Sequence, residues 1–465
     1  MSDKLPDEVE RRIEKMTEEY RRQLIKIWRW SNRQEEGEEP TIGEIEDRIR
    51  EWIGQIGEDT QLLTLAGMDR YRRKGKQRCR ECGEEVYWER YEARNYITTL
   101  AEIEIERAYY HHAECHCGWV PLDEELGMGA SELSPRVQEM TSYLGAFMPF
   151  EKAQFFLDRY CDVDISHDTV NNSTVQIGQM LREQQREAVH GAWELYQLPA
   201  CEVADPPKRL YVSADGINVP LSDGQGAEIK IAAVYETEER RNKEGEVEIH
   251  AVDIDYVVAR TGEELARAVY VAAVKRGVES AEEIIVLGDG ASWIWNRIAS
   301  LFPGPKTTEI VDFYHAGEYI WDAGKAVFGE ESAETEVWGK QYCHMLKHKG
   351  PVPVLQELRA LSAKDQTTPE PVAKAITYFE NQRARMNYPL YVKHGLQIGS
   401  GSAESAVKQV VGARINQAGM RWNAERAEAL AHVRAAILSD RWDDLWANFL
   451  PPPRQYQRQE IPVAA

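Results

Sequence analysis

The sequence predicts an α/β chain: a mixed sheet interrupted by a long helical insertion, with helical and cysteine-bearing modules in front of it. Three observations carry that expectation. Two apolar runs, Arg209-Leu-Tyr-Val-Ser-Ala-Asp215-Gly and Glu282-Glu-Ile-Ile-Val-Leu-Gly-Asp289-Gly, read as buried strands that each end in Asp-Gly. Between them, Glu228–Glu236 and Ile249–Val258 carry the strand pattern of a sheet with one packed face, joined by a charged hairpin from Glu238 to Glu246. From Ala316 to about Leu396 the pattern turns helical, broken at Gly350-Pro351 and Thr368-Pro369.

Bulk properties bound the rest. A chain of 465 residues exceeds one hydrophobic core and implies two to four domains. With 43% hydrophobic and 29% charged residues and no apolar run long enough to span a bilayer, it reads as a globular protein with no membrane partner. The start, Met-Ser-Asp-Lys-Leu-Pro-Asp-Glu, lacks a signal peptide's basic and apolar regions, so a cytoplasmic location is expected. Seven cysteines, four of them in two tight pairs, point to metal binding rather than to disulfides. A net charge of −22 argues against a uniformly basic nucleic-acid binder. Local patches remain open, and Tyr71–Arg80 is one, with Arg72, Arg73, Lys74 and Lys76 in an acid-free run.

In chain order, residues 1–70 form a helical region. An amphipathic helix from Glu8 to Gln34 is followed by an acidic linker, Glu35–Pro40, and a helix opened by Thr41 towards Ile56. Residues 71–130 hold Cys79-Arg-Glu-Cys82-Gly and Cys115-His-Cys117-Gly, with strand-like alternation from Thr98 to Tyr110 between them. Two cysteine pairs beside glycines and joined by strands suit a zinc-ribbon-like module, ligated by Cys79, Cys82, Cys115 and Cys117. The second pair is separated by one residue instead of two, which keeps His111, His112 and His116 open as substitutes. In residues 131–205, Ser134–Phe150 reads as a helix. Phe150–Tyr160, a turn at Asp162–Ser166, and a second helix from His167 resemble a helix-turn-helix, a unit that also occurs without DNA.

Residues 206–317 supply three antiparallel strands, a capped helix from Thr261-Gly-Glu-Glu, a fourth strand ending at Asp289, the helix Ser292–Leu301, and a fifth strand, Thr308–His315. That order is the order of a ribonuclease-H-like sheet, which places the strands ending in Asp215 and Asp289 side by side. Residues 318–396 are the insertion, 397–450 return to the same domain, and the Pro-rich 451–465 read as a disordered tail. In the returning part, Ser400 and Ser402 are good N-caps for a helix whose first turn carries Glu404, with Lys408 one turn later on the same face.

Asp215, Asp289 and Glu404 thus form a hard-oxygen cluster suited to two Mg²⁺ or Mn²⁺ ions, able to activate a hydroxyl nucleophile and stabilise a leaving 3′-oxygen. Taken singly, each Asp-Gly is ordinarily a turn and Glu404–Lys408 an ordinary surface pair. Asp253, Asp255 and Asp312 compete for the same role.

In combination, Tyr211-Val-Ser-Ala-Asp215-Gly, Leu287-Gly-Asp289-Gly-Ala-Ser-Trp-Ile-Trp295, Asp312-Phe-Tyr-His315-Ala, Gly399-Ser-Gly-Ser-Ala-Glu404 and Gly419-Met-Arg-Trp422 resemble bacterial insertion-sequence transposases of the ISKra family. These are Asp-Asp-Glu transposases, similar to Mutator-like enzymes. The resemblance implies that Asp215, Asp289 and Glu404 are the metal triad and that Asp312 and His315 form an Asp-x-x-His motif between them. Lys408, Arg414 and Arg421 then become candidates for phosphate contact. The expected partners are double-stranded DNA, as terminal inverted repeats and as target, and further copies of the chain. A nuclease or junction resolvase without strand transfer, and a non-catalytic DNA-binding relative, are the alternatives. A bacterial, nucleoid-associated location follows from the first reading.

Overall fold

The computed structural model describes residues 7–32, 40–67, 75–243, 245, 247–362, 368–449 and 451. It is mixed α/β with two separate sheets, and the chain divides into two compact units. The acidic linker and Arg72, Arg73 and Lys74 lie outside the described residues, as does the tail beyond Pro451.

The first unit comprises Met1–Gly145, Pro149–Ser173 and Asp444–Ala465. Its helices Asp7–Ser31 and Ile42–Gly67 pack on each other. Thr41 opens the second through a reciprocal cap, its own N–H donating to Glu44 at 2.7 Å, and that helix runs eleven residues beyond the expected Ile56. A four-stranded antiparallel meander follows: β1 (Lys76–Arg78), β2 (Glu85–Ile97), β3 (Glu102–His112) and β4 (Cys117–Trp119). Along β3, Ile103 and Ile105 are buried while Glu102, Glu104 and Glu106 face out, the period-two pattern of a one-sided sheet. Further along β3, Arg107 is also buried, its guanidinium forking onto both oxygens of buried Asp123 at 2.8 and 2.6 Å. The helices Pro135–Phe147 and Phe150–Cys161 come next, and left-handed Asp162 (φ 53°) ends the second.

The second unit comprises Ala146–Met148 and Thr174–Asp443. Its sheet has the order β7-β6-β5-β8-β9, from β5 (Arg209–Pro220), β6 (Gly226–Arg241), β7 (Val247–Ala259), β8 (Glu283–Gly288) and β9 (Thr307–Val311). The first three are antiparallel, whereas β8 and β9 run parallel to β5. Central β5 is fully buried at Leu210, Tyr211 and Val212, which accounts for its continuous apolar run. The fifth strand stops at Val311, earlier than expected, because Asp312 caps the helix Phe313–Phe328; His315 therefore lies on a helix and not on a strand.

The turn Asp162–Ser166 separates Phe150–Cys161 from the helix His167–Trp193, as expected, and the latter runs without a break across the boundary of the two units at Ser173 and Thr174. At Gly178 it meets the helix Ala424–Leu438 so closely that an added Cβ would lie 2.0 Å from the Ala429 carbonyl oxygen. The insertion forms the helices Ala333–Lys349, Pro351–Ser362, Glu370–Gln382 and Tyr388–Lys393. It belongs to the same unit as the sheet.

Candidate active site and metal centre

Parallel pairing of β5 with β8 sets two of the acids. Ser213 pairs with Leu287; two residues on, Asp215 lies inside β5, which runs to Pro220 and does not end at Asp215 as expected, while Asp289 lies one residue past the end of β8. Asp289 leaves the sheet at once: its Oδ1 accepts the Ala291 N–H at 2.8 Å, and Gly290 takes a left-handed φ of 108°. Burial pushes the Asp215 carboxyl up. The Gly216 N–H, at 2.6 Å, pulls it down, the charges of Asp289 and Glu404 push it further up, and His315 opposes them. Three groups far apart in sequence thus act electrostatically on one carboxyl. The three carboxylates are not packed to the spacing of the Cys/His group described below, whose ligand atoms all lie within 4.8 Å of one another.

Glu404 sits in the helix Gly401–Ala406, which continues as a π-helical turn, Val407–Gly412. The turn before it is fastened to the sheet: Gln397 N–H donates to the Tyr211 hydroxyl at 3.2 Å, and Phe313 N–H donates to the Ile398 carbonyl at 2.8 Å. Ser400 is the N-cap residue, but its hydroxyl does not cap the helix as expected; it donates to Asp312. Glu404 is exposed and ion-paired with Lys408.

Asp312 is buried, and its carboxylate is spent on structure. One oxygen accepts the N–H groups of Tyr314 and His315 at 2.6 and 2.9 Å, and the other accepts the N–H of Ser400 at 2.5 Å together with its hydroxyl. With four donors on its two oxygens, Asp312 positions the residues around it and has no lone pair left for a ligand. His315 donates or accepts at Glu318 (3.0 Å) and stands edge-on to Tyr319 and Tyr378. Neither rival acid joins the site: Asp255 binds Arg276 at 2.7 Å, and Asp253 occupies a left-handed position in β7.

Of the expected phosphate contacts, Lys408 and Arg421 are exposed, but Arg414 is not. It is 1% exposed and stacks over Trp422, and burial, then neighbouring Arg434, pushes its pKa down to about 10. It lies in the turn after Gly412, its guanidinium also reaching the Met420 sulfur at 3.1 Å, a setting that the basic residue type alone did not reveal. Trp422 is buried, its indole N–H donating to the Ile415 carbonyl at 2.8 Å. Lys76 pairs with Glu85 at 2.7 Å and lies over the Tyr87 ring.

In the first unit, the turns flanking β1 and β4 gather thiols. Cys79, Cys82, His112 and Cys115 have ligand atoms all within 4.8 Å of one another. The expected fourth cysteine, Cys117, is displaced from that group by His112, although its sulfur lies 3.3 Å from that of Cys79. The single-residue spacing Cys115-His-Cys117 puts its second thiol on β4, whereas His112 ends β3 directly beside Cys82, with Nδ1 at 3.5 Å. The Nε2 of His112 faces Glu84 at 3.5 Å, the carboxylate arrangement that orients a ligating imidazole. The Cys82 N–H pulls the Cys79 thiol down to about 6, while the Cys82 thiol pushes Cys115 up to about 12 and burial pushes Cys117 up to about 11. Crowded thiols cannot all ionise without a cation among them.

Against known proteins, the model of an uncharacterised protein family, UPF0236, matches residues 38–442, a span that holds both cysteine pairs and all three site acids. The chain belongs to UPF0236. A UPF0236 protein of Caldanaerobacter subterraneus subsp. tengcongensis is 25% identical over 410 residues, covering 87% of this chain and 79% of the relative. A second from the same organism is 24% identical over 409 residues, covering 87% and 80%. Among the described residues of this UPF0236 chain, no helix is long and apolar enough to cross a membrane.

Proposed function

We propose that this UPF0236 chain is a DNA transposase that cleaves the ends of a mobile element and joins the freed 3′-hydroxyls to target DNA. The observation that carries the reading is that Asp289, Glu404 and His315, far apart in sequence, all act by their charge on the Asp215 carboxyl, on a sheet whose order and pairing agree with a ribonuclease-H-like fold. The donor set fits a divalent cation: three oxygen-bearing acids, one with its pKa raised partly by the other two, leave negative charge that hard cations such as Mg²⁺ or Mn²⁺ relieve. Bound there, such ions supply a polarised nucleophile and a stabilised leaving oxygen. The acids hold the ions, Asp312 fixes the two chain segments that bear His315 and Glu404, and His315 faces the reacting phosphate. Lys408 and Arg421 meet flanking phosphates.

The other modules serve end recognition in this reading. Zn²⁺ at Cys79, Cys82, Cys115 and His112 holds a zinc-ribbon-like module, and Phe150–Cys161 with the start of His167–Trp193 acts as the helix-turn-helix. Pairing of two element ends calls for a dimer or higher assembly, working at the nucleoid in the cytoplasm. The relatives favour mobility: the name of one joins eleven locus designations of one organism, and the names of two others join four and two. That is how a sequence that multiplies within a genome is distributed.

The test incubates the full chain with labelled DNA flanking its own gene, a target plasmid and Mg²⁺, with Glu404→Gln as control. Joined products from the wild type alone support transposition. Cleavage without joining makes it a nuclease or resolvase, binding without cleavage makes it a non-catalytic relative, and full activity in Glu404→Gln removes the triad.

A further inference from the structure

The loop that carries Asp289 is held from outside the sheet. Tyr378, on the insertion helix Glu370–Gln382, donates its hydroxyl to the Asp289 carbonyl at 2.7 Å. One turn later, Gln382 Nε2 donates to the Gly290 carbonyl at 2.9 Å. The Tyr378 ring stacks on Tyr319 with centroids 4.0 Å apart, and His315 stands edge-on to both rings at 5.9 and 5.5 Å. Contact with the loop is close: a Cβ on Gly290 would lie 2.8 Å from a Tyr378 ring carbon. The insertion is itself anchored elsewhere, by Tyr388 to the Val311 carbonyl at 2.9 Å and by Tyr391 to the Glu309 carbonyl at 3.3 Å.

We propose that Tyr378, seconded by Gln382, is a positioning residue for the metal site: through the Asp289 and Gly290 carbonyls it fixes where the Asp289 carboxylate points, and through its ring it fixes His315. The inference rests on the metal-dependent reading above and deepens it, giving the helical insertion a part in building the site. Two consecutive carbonyls held by two side chains leave the Asp289 side chain little freedom but its own torsions, which is how outer-shell groups set ligand geometry.

The experiment titrates Mn²⁺ into the full chain by electron paramagnetic resonance, without DNA, for wild type, Asp215→Asn, Tyr378→Phe, Gln382→Met and Tyr391→Phe. The last is an anchor of the same residue type that does not touch the Asp289 loop. Tyr378→Phe and Gln382→Met are expected to raise the half-saturating Mn²⁺ by about tenfold, and Tyr391→Phe by less than about twofold. Faster hydrogen exchange at the Ala291 amide in Tyr378→Phe is the accompanying sign. If wild-type binding depends on Asp215 while Tyr378→Phe binds like wild type, this inference fails alone. Equal weakening in Tyr378→Phe and Tyr391→Phe also overturns it, because the effect then belongs to seating the insertion. Absence of Asp215-dependent binding in the wild type overturns the metal reading and this inference with it.

Discussion

The Asp312 carboxylate accepts the Ser400 N–H at 2.5 Å while its other oxygen caps the helix that bears His315. One buried side chain thereby joins the end of β9 to the turn that leads into Glu404, across 88 residues of sequence. Beside it, the Asp312 N–H donates to the Gly288 carbonyl at 2.8 Å, next to Asp289.

Asp312→Ala removes a helix cap and orphans the part-buried donors of Ser400. Cap loss costs about 0.5–2 kcal/mol, and part-buried donors left without a partner add up to about 1–3 kcal/mol. Urea unfolding is therefore expected to show a loss of roughly 2–4 kcal/mol, with cleavage lowered as Glu404 loses its anchor. An unchanged midpoint would show that the carboxylate is dispensable to the fold.

Asp215→Asn separates function from stability. The carboxyl is raised in the folded state, so between its ordinary pKa and the raised one the native chain binds the proton more tightly than the unfolded chain does. Charging Asp215 then costs stability as pH rises through that window, a cost the amide does not carry. The variant is expected to melt higher than wild type at pH 7 while metal-dependent cleavage falls by roughly 10²-fold or more. Calorimetry and a cleavage assay on one preparation decide it.

Acid lability is expected from His432. Burial, then the charges of Arg182, Arg441 and Arg186, pushes its pKa down to about 3, and it is 6% exposed. The unfolded state takes up this proton near pH 6.5, so the stability that neutral His432 allows is whole above that pH and is lost progressively towards pH 3, by several kcal/mol at the end. His432→Gln should flatten the dependence of the melting temperature on pH between 6.5 and 4; a slope equal to wild type would assign the lability elsewhere.

For the thiol cluster, metal content by mass spectrometry distinguishes the ligands. Cys82→Ser and His112→Ala are expected to strip about one equivalent of metal and to loosen β1–β4, since ligand loss forfeits binding energy that is also folding energy. Cys117→Ser is expected to retain metal. The reverse order would restore the four-cysteine set.

Gly178→Ala places a methyl 2.0 Å from a backbone carbonyl oxygen that cannot rotate away. Overpacking of this kind costs about 1–3 kcal/mol or more, and thermal unfolding should register it.

The sequence by itself determined the strands and the carboxylates they carry. Apolar runs followed by Asp-Gly mark Asp215 and Asp289 from neighbouring residues alone, although β5 runs past Asp215 to Pro220 and only Asp289 stands at a strand end. Gly-Ser-Gly-Ser before Glu404 marked a helix start for the same local reason: glycine and serine act on the backbone within a few residues. What only the tertiary structure decided depends on groups brought together over long separations. The type of Asp312 promised a site acid, but its surroundings made it a cap and a strut. Arg414 promised a phosphate contact, but the turn that follows Gly412 buries it against Trp422. His112 was one of three histidines that spacing alone left equal, until strand register set it beside Cys82. Tyr378 and Gln382 gave no signal at all, since a tyrosine and a glutamine one turn apart are ordinary in a helix. Their role arises only where that helix meets a loop 89 residues away, and hydrogen bonding across such a distance leaves no periodicity in the chain.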